Sequence, residues 1–331
     1  MIEKTVLDNL RTSKNLLAFS GGVDSTALFF ILAESGVEFD CAIVNYHTRE
    51  NSDREVEFAQ KLCDRHGKKC FVASARLERQ NFEAAARTIR YRFFEETIAN
   101  NGYTTLMTAH QLNDWTEWFL MQLSKGAGFF ELCGMRFIED RKNYQLVRPL
   151  LAISKQSLID FLDARKITPF FDESNNDRAM LRNRFRADYA SPLVQNYEDG
   201  IRRTLLALQR DRARLETVSS VRRVGDLFAI DLVAADWIHQ ADLAIKKLGV
   251  LLTKNERSLL EVGRDFVASR KIAVAHNDRT VFVAPYIKVA MSKKFREECR
   301  VRTIPPIVRG YLFSSGFSPS LLETHSDENA N

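Results

Sequence analysis

The chain has 331 residues, long for one domain and comfortable for two at about 150 each, and its 45% hydrophobic content can fill real cores. Lysine and arginine number 48 against 43 aspartates and glutamates, a formal charge of +5 that is too mild by itself to require a nucleic-acid partner. No uninterrupted apolar stretch is long enough to span a bilayer, which excludes a membrane-spanning class.

In chain order, MIEKTVLDNLRTSKN lacks the apolar segment and cleavage site of a secretory signal, so export is not expected. The run from Asn15 then reads as a buried strand. It is followed by Ser20-Gly21-Gly22-Val23-Asp24-Ser25-Thr26 and by the helical stretch ALFFILAES, which closes at Gly36. Strand, glycine turn and helix together build an anion cradle: the glycines let successive N–H groups turn inward, and the helix adds its free N-terminal N–H groups and positive dipole end. Hydroxyls of Ser20, Ser25 and Thr26 are available beside them. Phosphate is the expected guest. No lysine follows the glycines as the GxxxxGK[ST] loop requires, and an ordinary capped turn is the bland alternative.

Further strands are expected at CAIVNY from Cys41, KCFVA from Lys69 and TTLMT from Thr104, and helices at about 51–66, 81–100 and 112–125. Strands alternating with helices imply a doubly wound parallel sheet, with ligands beyond the carboxyl ends where Ser20, Asn45 and Ala109 lie. In TAHQLNDWTEWFLMQLSKGAG, His110, Asp114 and Glu117 are spaced i, i+4, i+7 and are expected on one helical face beside Asn113. Two carboxylates near a triphosphate suit Mg²⁺, which prefers oxygen ligands, and His110 is placed to act on charge at the reacting phosphate. In NFEAAARTIRYRFFEE, Phe82, Ala85, Ala86, Ile89, Phe93 and Phe94 make a buried side and present Arg87 and Arg90 on a stem. Arg90 is the better functional candidate, since Arg87 can pair with Glu83.

A helix at about 154–166 precedes TPFFDESNNDRAMLRNRFR, whose polar density marks a loop. Residues 197–216 read as a long charged helix. Beyond it, helices are expected at 241–253 and 256–268, and KIAVAHNDRTVFVA as a hairpin around His276-Asn277-Asp278. The expected organisation is a catalytic domain over 1–195, a helical connector over 196–216 and a smaller α+β domain over 217–331. Basic residues crowd 178–223 and 288–309, as phosphate-tracking surfaces or as solvated faces interleaved with acids. The five cysteines, Cys41, Cys63, Cys70, Cys133 and Cys299, never form CxxC, which argues for a reducing compartment, the cytoplasm, and against zinc or iron–sulfur sites.

The glycine turn matches SGGxDS, the pyrophosphate loop of the ATP pyrophosphatases. NFEAAARTIRYRFF is similar to NxExxARxxRYxFF, TAHQLNDWTEWFLMQLSKGAGFFELCGM to TAHHxDDQxETxLLxLxRGxGxxGLxGM, VRPLL to RPLL, and DESNNDRAMLRNRFR to DxSNxDxxxxRNxxR. Over about Asn15 to Arg186 the chain thus resembles the tRNA(Ile)-lysidine synthetase family. The resemblance implies that ATP adenylates the ring carbonyl oxygen of the wobble cytidine in an isoleucine tRNA with a CAU anticodon. Free L-lysine then displaces AMP to leave lysidine. It also implies that Ser20 to Thr26 and Asn45 hold ATP, that Asp24 and Asp114 hold Mg²⁺, and that Arg90, His110, Asp114, Glu117 and Arg182 surround the reacting centre with Asp24. A homodimer is left open.

The departures are specific. VNHGLR appears as Val44-Asn45-Tyr46-His47-Thr48-Arg49, HHxDDQ as His110-Gln111-Leu112-Asn113-Asp114-Trp115, and Lys125 replaces the arginine of RGxG. A tRNA thiolase with the same loop, or a catalytically silent ATP- or RNA-binding module, are the alternatives.

Overall fold

Helix α1 (Lys4–Arg11), which the patterning left unread, lays Val6 and Leu10 against the first core and leads into β1 (Asn15–Ala18). The structure, a computed structural model, describes residues 2–47, 52–75, 82–170, 181–216, 221–234 and 236–322, without the side chains of residues 82, 83 and 181. The expected partner of Arg87, Glu83, and the DESNNDRAM segment lie outside that description. Contacts divide the chain into two units, Met1–Gln209 and Arg210–Asn331.

In the first unit the chain continues through α2 (Val23–Glu34), β2 (Phe39–Asn45), α3 (Ser52–Arg65), β3 (Cys70–Ser74), α4 (Phe82–Asn101) and β4 (Thr105–Met107). Then come α5 (Leu112–Leu123), α6 (Phe129–Cys133), β5 (Ile138–Asp140), β6 (Gln145–Val147), α7 (Lys155–Ala164), α8 (Leu181–Phe185), a π turn over Arg186–Ala190, and α9 (Ser191–Glu216). The strand order is β3-β2-β1-β4-β6-β5, parallel throughout except for the antiparallel edge strand β5. This is the expected doubly wound sheet, extended by an antiparallel edge.

Strand periodicity decides the layers. Leu17, Cys41 and Met107 face one side with α2, α3 and α7; Leu16, Ala42 and Leu106 face the other with Phe94 and Ile98 of α4. Helix α2 is apolar on nearly every side because sheet, α1 and α7 surround it, so Leu28, Phe29 and Leu32 are fully buried. Each such side chain contributes about 1.5–3 kcal/mol. The chain runs β1, β2, β3 outward and returns to place β4 on the other side of β1. That reversal opens a crevice between the carboxyl ends of β1 and β4, which is where ligands bind in such sheets.

Two expectations are corrected here. The segment RNRFR, read as loop, is helical from Leu181, because Arg182 and Arg186 pair with Glu117 instead of facing only solvent. The charged helix begins at Ser191, with a kink at Tyr197 where φ is −137°.

The second unit is a five-stranded antiparallel sheet in the order β7-β8-β11-β10-β9: β7 (Val221–Val224), β8 (Leu227–Asp231), β9 (Phe266–Ala268), β10 (Ile272–His276) and β11 (Thr280–Pro285). α10 (Trp237–Lys247) and α11 (Lys254–Glu261) cover one face, and α12 (Lys293–Val301) and α13 (Pro306–Ser314) the other. The hairpin at 272–285 is as expected. The helix expected over 256–268 stops at Glu261, and Phe266–Ala268 pairs instead with β10. Alanines 229, 273, 275 and 284 line the α12–α13 face and allow close approach. At Gly310 a Cβ would lie 1.9 Å from the Ile287 carbonyl oxygen, so only glycine fits.

Candidate functional site

The cradle forms as its residues dictate. Gly21 adopts φ +77°, which other residues rarely take, and Gly22 N-caps α2 without any side-chain bond, so the helix starts four residues before the expected ALFF run. The first intrahelical bond is Thr26 N–H to the Gly22 carbonyl, at 2.9 Å. The N–H groups of Val23, Asp24 and Ser25 therefore have no acceptor within the helix and face the crevice end with the dipole behind them.

The hydroxyls divide their work. Thr26 is fully buried and donates to the Gly21 carbonyl at 2.9 Å, so it braces the loop instead of offering its hydroxyl outward. Ser25 Oγ donates to the Gly22 carbonyl at 3.2 Å, and Ser20 Oγ lies 3.1 Å from it. Ser20 remains exposed.

Asp24, in the first turn of α2, is partly accessible as a residue, yet its Oδ1 is sealed from solvent and has no hydrogen-bond partner among the described residues. Burial pushes its pKa up to about 6; the nearby Asp114 charge adds to that, and Lys155 and Arg186 oppose it. Lys155 escaped the sequence reading because α7 is distant in sequence. It opens α7, and its N–H donates to Asn113 Oδ1 at 3.1 Å. Asn113 thus ties α5 to α7 without adding a third negative charge.

At the end of β4, Gln111 caps α5: its side chain accepts from Asn113 N–H at 2.5 Å, and Asp114 Oδ2 accepts from Gln111 N–H at 3.1 Å. His110 therefore precedes the helix, and the expected shared helical face holds only for Asp114 and Glu117. It still joins the site. Burial holds its pKa down to about 4, against Asp114 and together with Arg148, Arg182 and Arg87, so the ring is neutral near pH 7. Thr108 Oγ1 lies 2.9 Å from Nδ1; with that hydroxyl donating, the ring proton sits on Nε2.

Two arginines clamp the carboxylates. Glu117, 2% exposed, accepts from Arg182 Nε at 2.5 Å on one oxygen and from Arg186 Nε at 2.8 Å on the other. Arg186 Nη2 also reaches Asp114 Oδ1 at 2.6 Å. Arg186 was missed, although the i, i+4 spacing of Arg182 and Arg186 in RNRFR carries the signal. Arg90 stands apart. It is exposed on α4, its charge acts on Tyr46, and Arg87 is the α4 cation that acts on His110.

At the end of β2, Asn45 is closed into a network: its Nδ2 donates to Asp53 Oδ1 at 2.7 Å, and its Oδ1 accepts from His47 N–H at 2.9 Å. His47, at φ +50°, sets Nε2 2.6 Å from Ser74 Oγ.

The cysteines behave unexpectedly. Cys41 and Cys70 are cross-strand partners, and Cys63 meets both, so three of them gather despite their separation in sequence. Hydrogen bonding to Cys41, then burial, pushes the Cys63 thiol up against an opposing bond from Cys70; bonding to Cys63 and burial do the same to Cys70. Cys63 and Cys70 are therefore protonated thiols, and Cys70 opens β3 at the end away from the cradle.

A family model described as a PP-loop domain matches residues 2–192. The tRNA(Ile)-lysidine synthase of Wolinella succinogenes is 41% identical over 317 residues, covering 95% of this chain and 97% of that one. The tRNA(Ile)-lysidine synthase of Helicobacter pylori is 37% identical over 316 residues, covering 94% and 93%. The chain belongs to the tRNA(Ile)-lysidine synthase family. Among solved structures, the U34-tRNA thiolase NcsA of Methanococcus maripaludis with its [4Fe-4S] cluster shares the fold, with a TM-score of 0.53 and 16% identity over 66% of this chain and 75% of that one.

Membership sharpens the departures. Trp115, where the synthase pattern has Gln, is fully buried, donates from Nε1 to the Cys133 carbonyl at 3.0 Å and packs edge-on against Phe137. It fills the core formed by α5 and α9 and does not face the crevice. Trp115→Gln is expected to cost about 3 kcal/mol or more through the cavity and the buried amide, read as a lower urea midpoint. His47, where the pattern has Gly, keeps the left-handed backbone that glycine would take, held by the Asn45, Asp53 and Ser74 contacts.

Proposed function

We propose that this chain joins L-lysine to the wobble cytidine of an isoleucine tRNA with a CAU anticodon. ATP is the co-substrate. Its α-phosphorus is attacked by the cytosine ring carbonyl oxygen, pyrophosphate leaves, and the lysine ε-amine displaces AMP at the ring carbon with loss of a proton. The observation that carries the reading is the cradle over Ser20–Ser25, with the unpartnered Oδ1 of Asp24 beside the charge of Asp114.

That donor set suits Mg²⁺. Among the described residues no three acidic, histidine or cysteine side chains gather to hold a metal. A cation that takes one or two carboxylates and draws its other oxygens from phosphate and water matches Asp24 and Asp114. Bound there, Mg²⁺ would neutralise phosphate charge. The first-turn N–H groups of α2 would hold the phosphates, and Lys155 would add positive charge on the same side. His110, neutral, would donate from Nε2 to charge growing on the α-phosphate. Arg182 and Arg186 would fix Asp114 and Glu117 in one geometry.

For the second unit, tRNA binding is proposed. Arg300 and Arg302 pair with Glu297 and Glu298, so the exposed Lys293, Lys294 and Arg296 carry much of the surface charge of α12. Reversing both lysines to glutamate should weaken tRNA binding and lower the slope of log Kd against log salt by about 1–2, with ATP binding unchanged. The reducing compartment implied by five cysteines that form no disulfide is taken as the cytoplasm. Among the described residues no helix is long and apolar enough to cross a membrane.

The deciding experiment is mass analysis of nucleosides from incubated tRNA. A gain of lysine minus water at the wobble cytidine, dependent on ATP and lysine, is expected. A sulfur-for-oxygen gain instead would favour a thiolase, and ADP as product would remove the adenylation chemistry altogether.

A further inference from the structure

The π turn follows from sequence. Pro192 has no N–H to give the Asp188 carbonyl, and its ring crowds that group, so the helix widens and Ser191 N–H bonds instead to the Arg186 carbonyl. The widened turn starts at Arg186, whose guanidinium grips Asp114 and Glu117, and it carries Tyr189 on its outer side.

Tyr189 is 54% exposed, and its ring centroid lies 5.3 Å from that of Phe185. One turn further Leu193 is 36% exposed, and Tyr197 at the kink is 66% exposed, so Tyr189, Leu193 and Tyr197 leave a run of apolar surface open to solvent along this segment. Scattered exposed apolar residues need no explanation, but a stripe of this kind beside a functional cleft does.

The charge beside the stripe selects its partner. Residues 182–188 hold three arginines against the single Asp188; Arg184 is exposed, and Arg182 and Arg186 remain 41% and 27% exposed although they are paired. Aromatic faces next to arginines are the usual means of holding unstacked bases of single-stranded RNA. Arg186 and Tyr189 are separated by less than one helical turn, roughly 5 Å along the axis. The ring pair thus begins within one turn of the arginine that grips the carboxylates.

We propose that the Phe185–Tyr189 ring pair is a stacking platform for the adenine that follows the reacting cytidine in the CAU anticodon. This rests on the lysidine-forming reading above. By holding the neighbouring base, the platform fixes the direction from which the cytidine enters.

The test is a chemical double cycle. The full-length chain and its Tyr189→Ala and Tyr189→Phe variants are titrated with the CAU anticodon stem-loop and with the same RNA carrying an abasic residue at that adenine. Expected are a Kd for the intact RNA about 5- to 100-fold weaker in Tyr189→Ala, a near-normal value in Tyr189→Phe, and an abasic penalty seen in the wild type but lost in Tyr189→Ala. Melting temperature and the KM for ATP should not move, since the ring is exposed. If Tyr189→Ala binds intact RNA within twofold of wild type, or still loses affinity for the abasic RNA, the platform is wrong. A wild type that modifies the RNA with no abasic penalty overturns the platform alone. One that neither binds nor modifies the stem-loop or the full-length isoleucine tRNA overturns the functional reading and the platform together. A Tyr189→Ala variant that turns a dimer into a monomer in sedimentation makes the stripe a self-interface, and also overturns the proposal.

Discussion

Asp24→Asn is expected to make the nucleotide-free and metal-free chain more stable at neutral pH while cutting adenylation by about 10²–10³-fold. The carboxylate is held at a cost: one oxygen is buried without a partner, and burial raises the pKa from 3.8 to about 6. An acid whose folded pKa lies above its unfolded value stabilises the fold only while protonated. The Asp24 contribution should therefore fall as pH rises from about 4 through about 6 and level off above that, while buried His110, with a folded pKa of about 4, contributes a rise over the same range in both proteins, so the difference between wild type and the asparagine variant isolates Asp24. The gap above pH 6 is expected to be about 1–3 kcal/mol, reduced where the buried amide also lacks a partner. Thermal melts at pH 4.5 and 7.5 measure it. Equal curves for the two proteins would mean that Asp24 is solvated, and the proposed cation site would lose its main support.

The opposition of stability and chemistry at Asp24 also accounts for what was legible in the sequence. The cradle was readable because it is local: Gly21, Gly22 and the following helix lie within one strand-turn-helix unit, where backbone preference decides the outcome. The expected strands at Cys41, Lys69 and Thr104, and the α4 and α5 helices, were readable from period alone. Contacts across the crevice were not. Lys155 reaches the site across 42 residues from Asn113, and Arg186 across 69 residues from Glu117. Polarity misled as well, since RNRFR looks solvated until its carboxylate partners are known.

Failures near element ends have local causes. His110 was placed on the helix because the capping role of Gln111, marked by Asp114 three residues later, went unread. The helix expected to run to Ala268 ends at Glu261; Gly263, at φ +67°, turns the chain toward a strand whose pairing is non-local. Asn113 and Trp115 looked like losses from a catalytic motif. In the fold each has structural work, one holding the Lys155 N–H and the other filling the core behind α5.

Arg186→Ala is expected to be the most destabilising single change at the site, by about 3–5 kcal/mol, and to cost more than Arg182→Ala. Arg186 holds both carboxylates and is the less exposed of the two arginines, whereas Arg182 bonds closely to Glu117 and lies 4.0 Å from Asp114. Removal of Arg186 leaves the Glu117 charge almost fully buried with, among the described residues, Arg182 as the cation bonded to it. Neutralising that charge should therefore rescue the fold. Arg186→Ala combined with Glu117→Gln should be more stable than the sum of the single changes implies, by about 1–3 kcal/mol. Urea unfolding followed through Trp115 and Trp118, both on α5 beside the network, gives the cycle. Adenylation should stay low in the double variant even where stability returns, because the carboxylate on Glu117 and the arginine that orients Asp114 are both gone. Recovery of activity together with stability would mean that the clamp only braces the fold, and that the chemistry depends on Asp24 and the cradle.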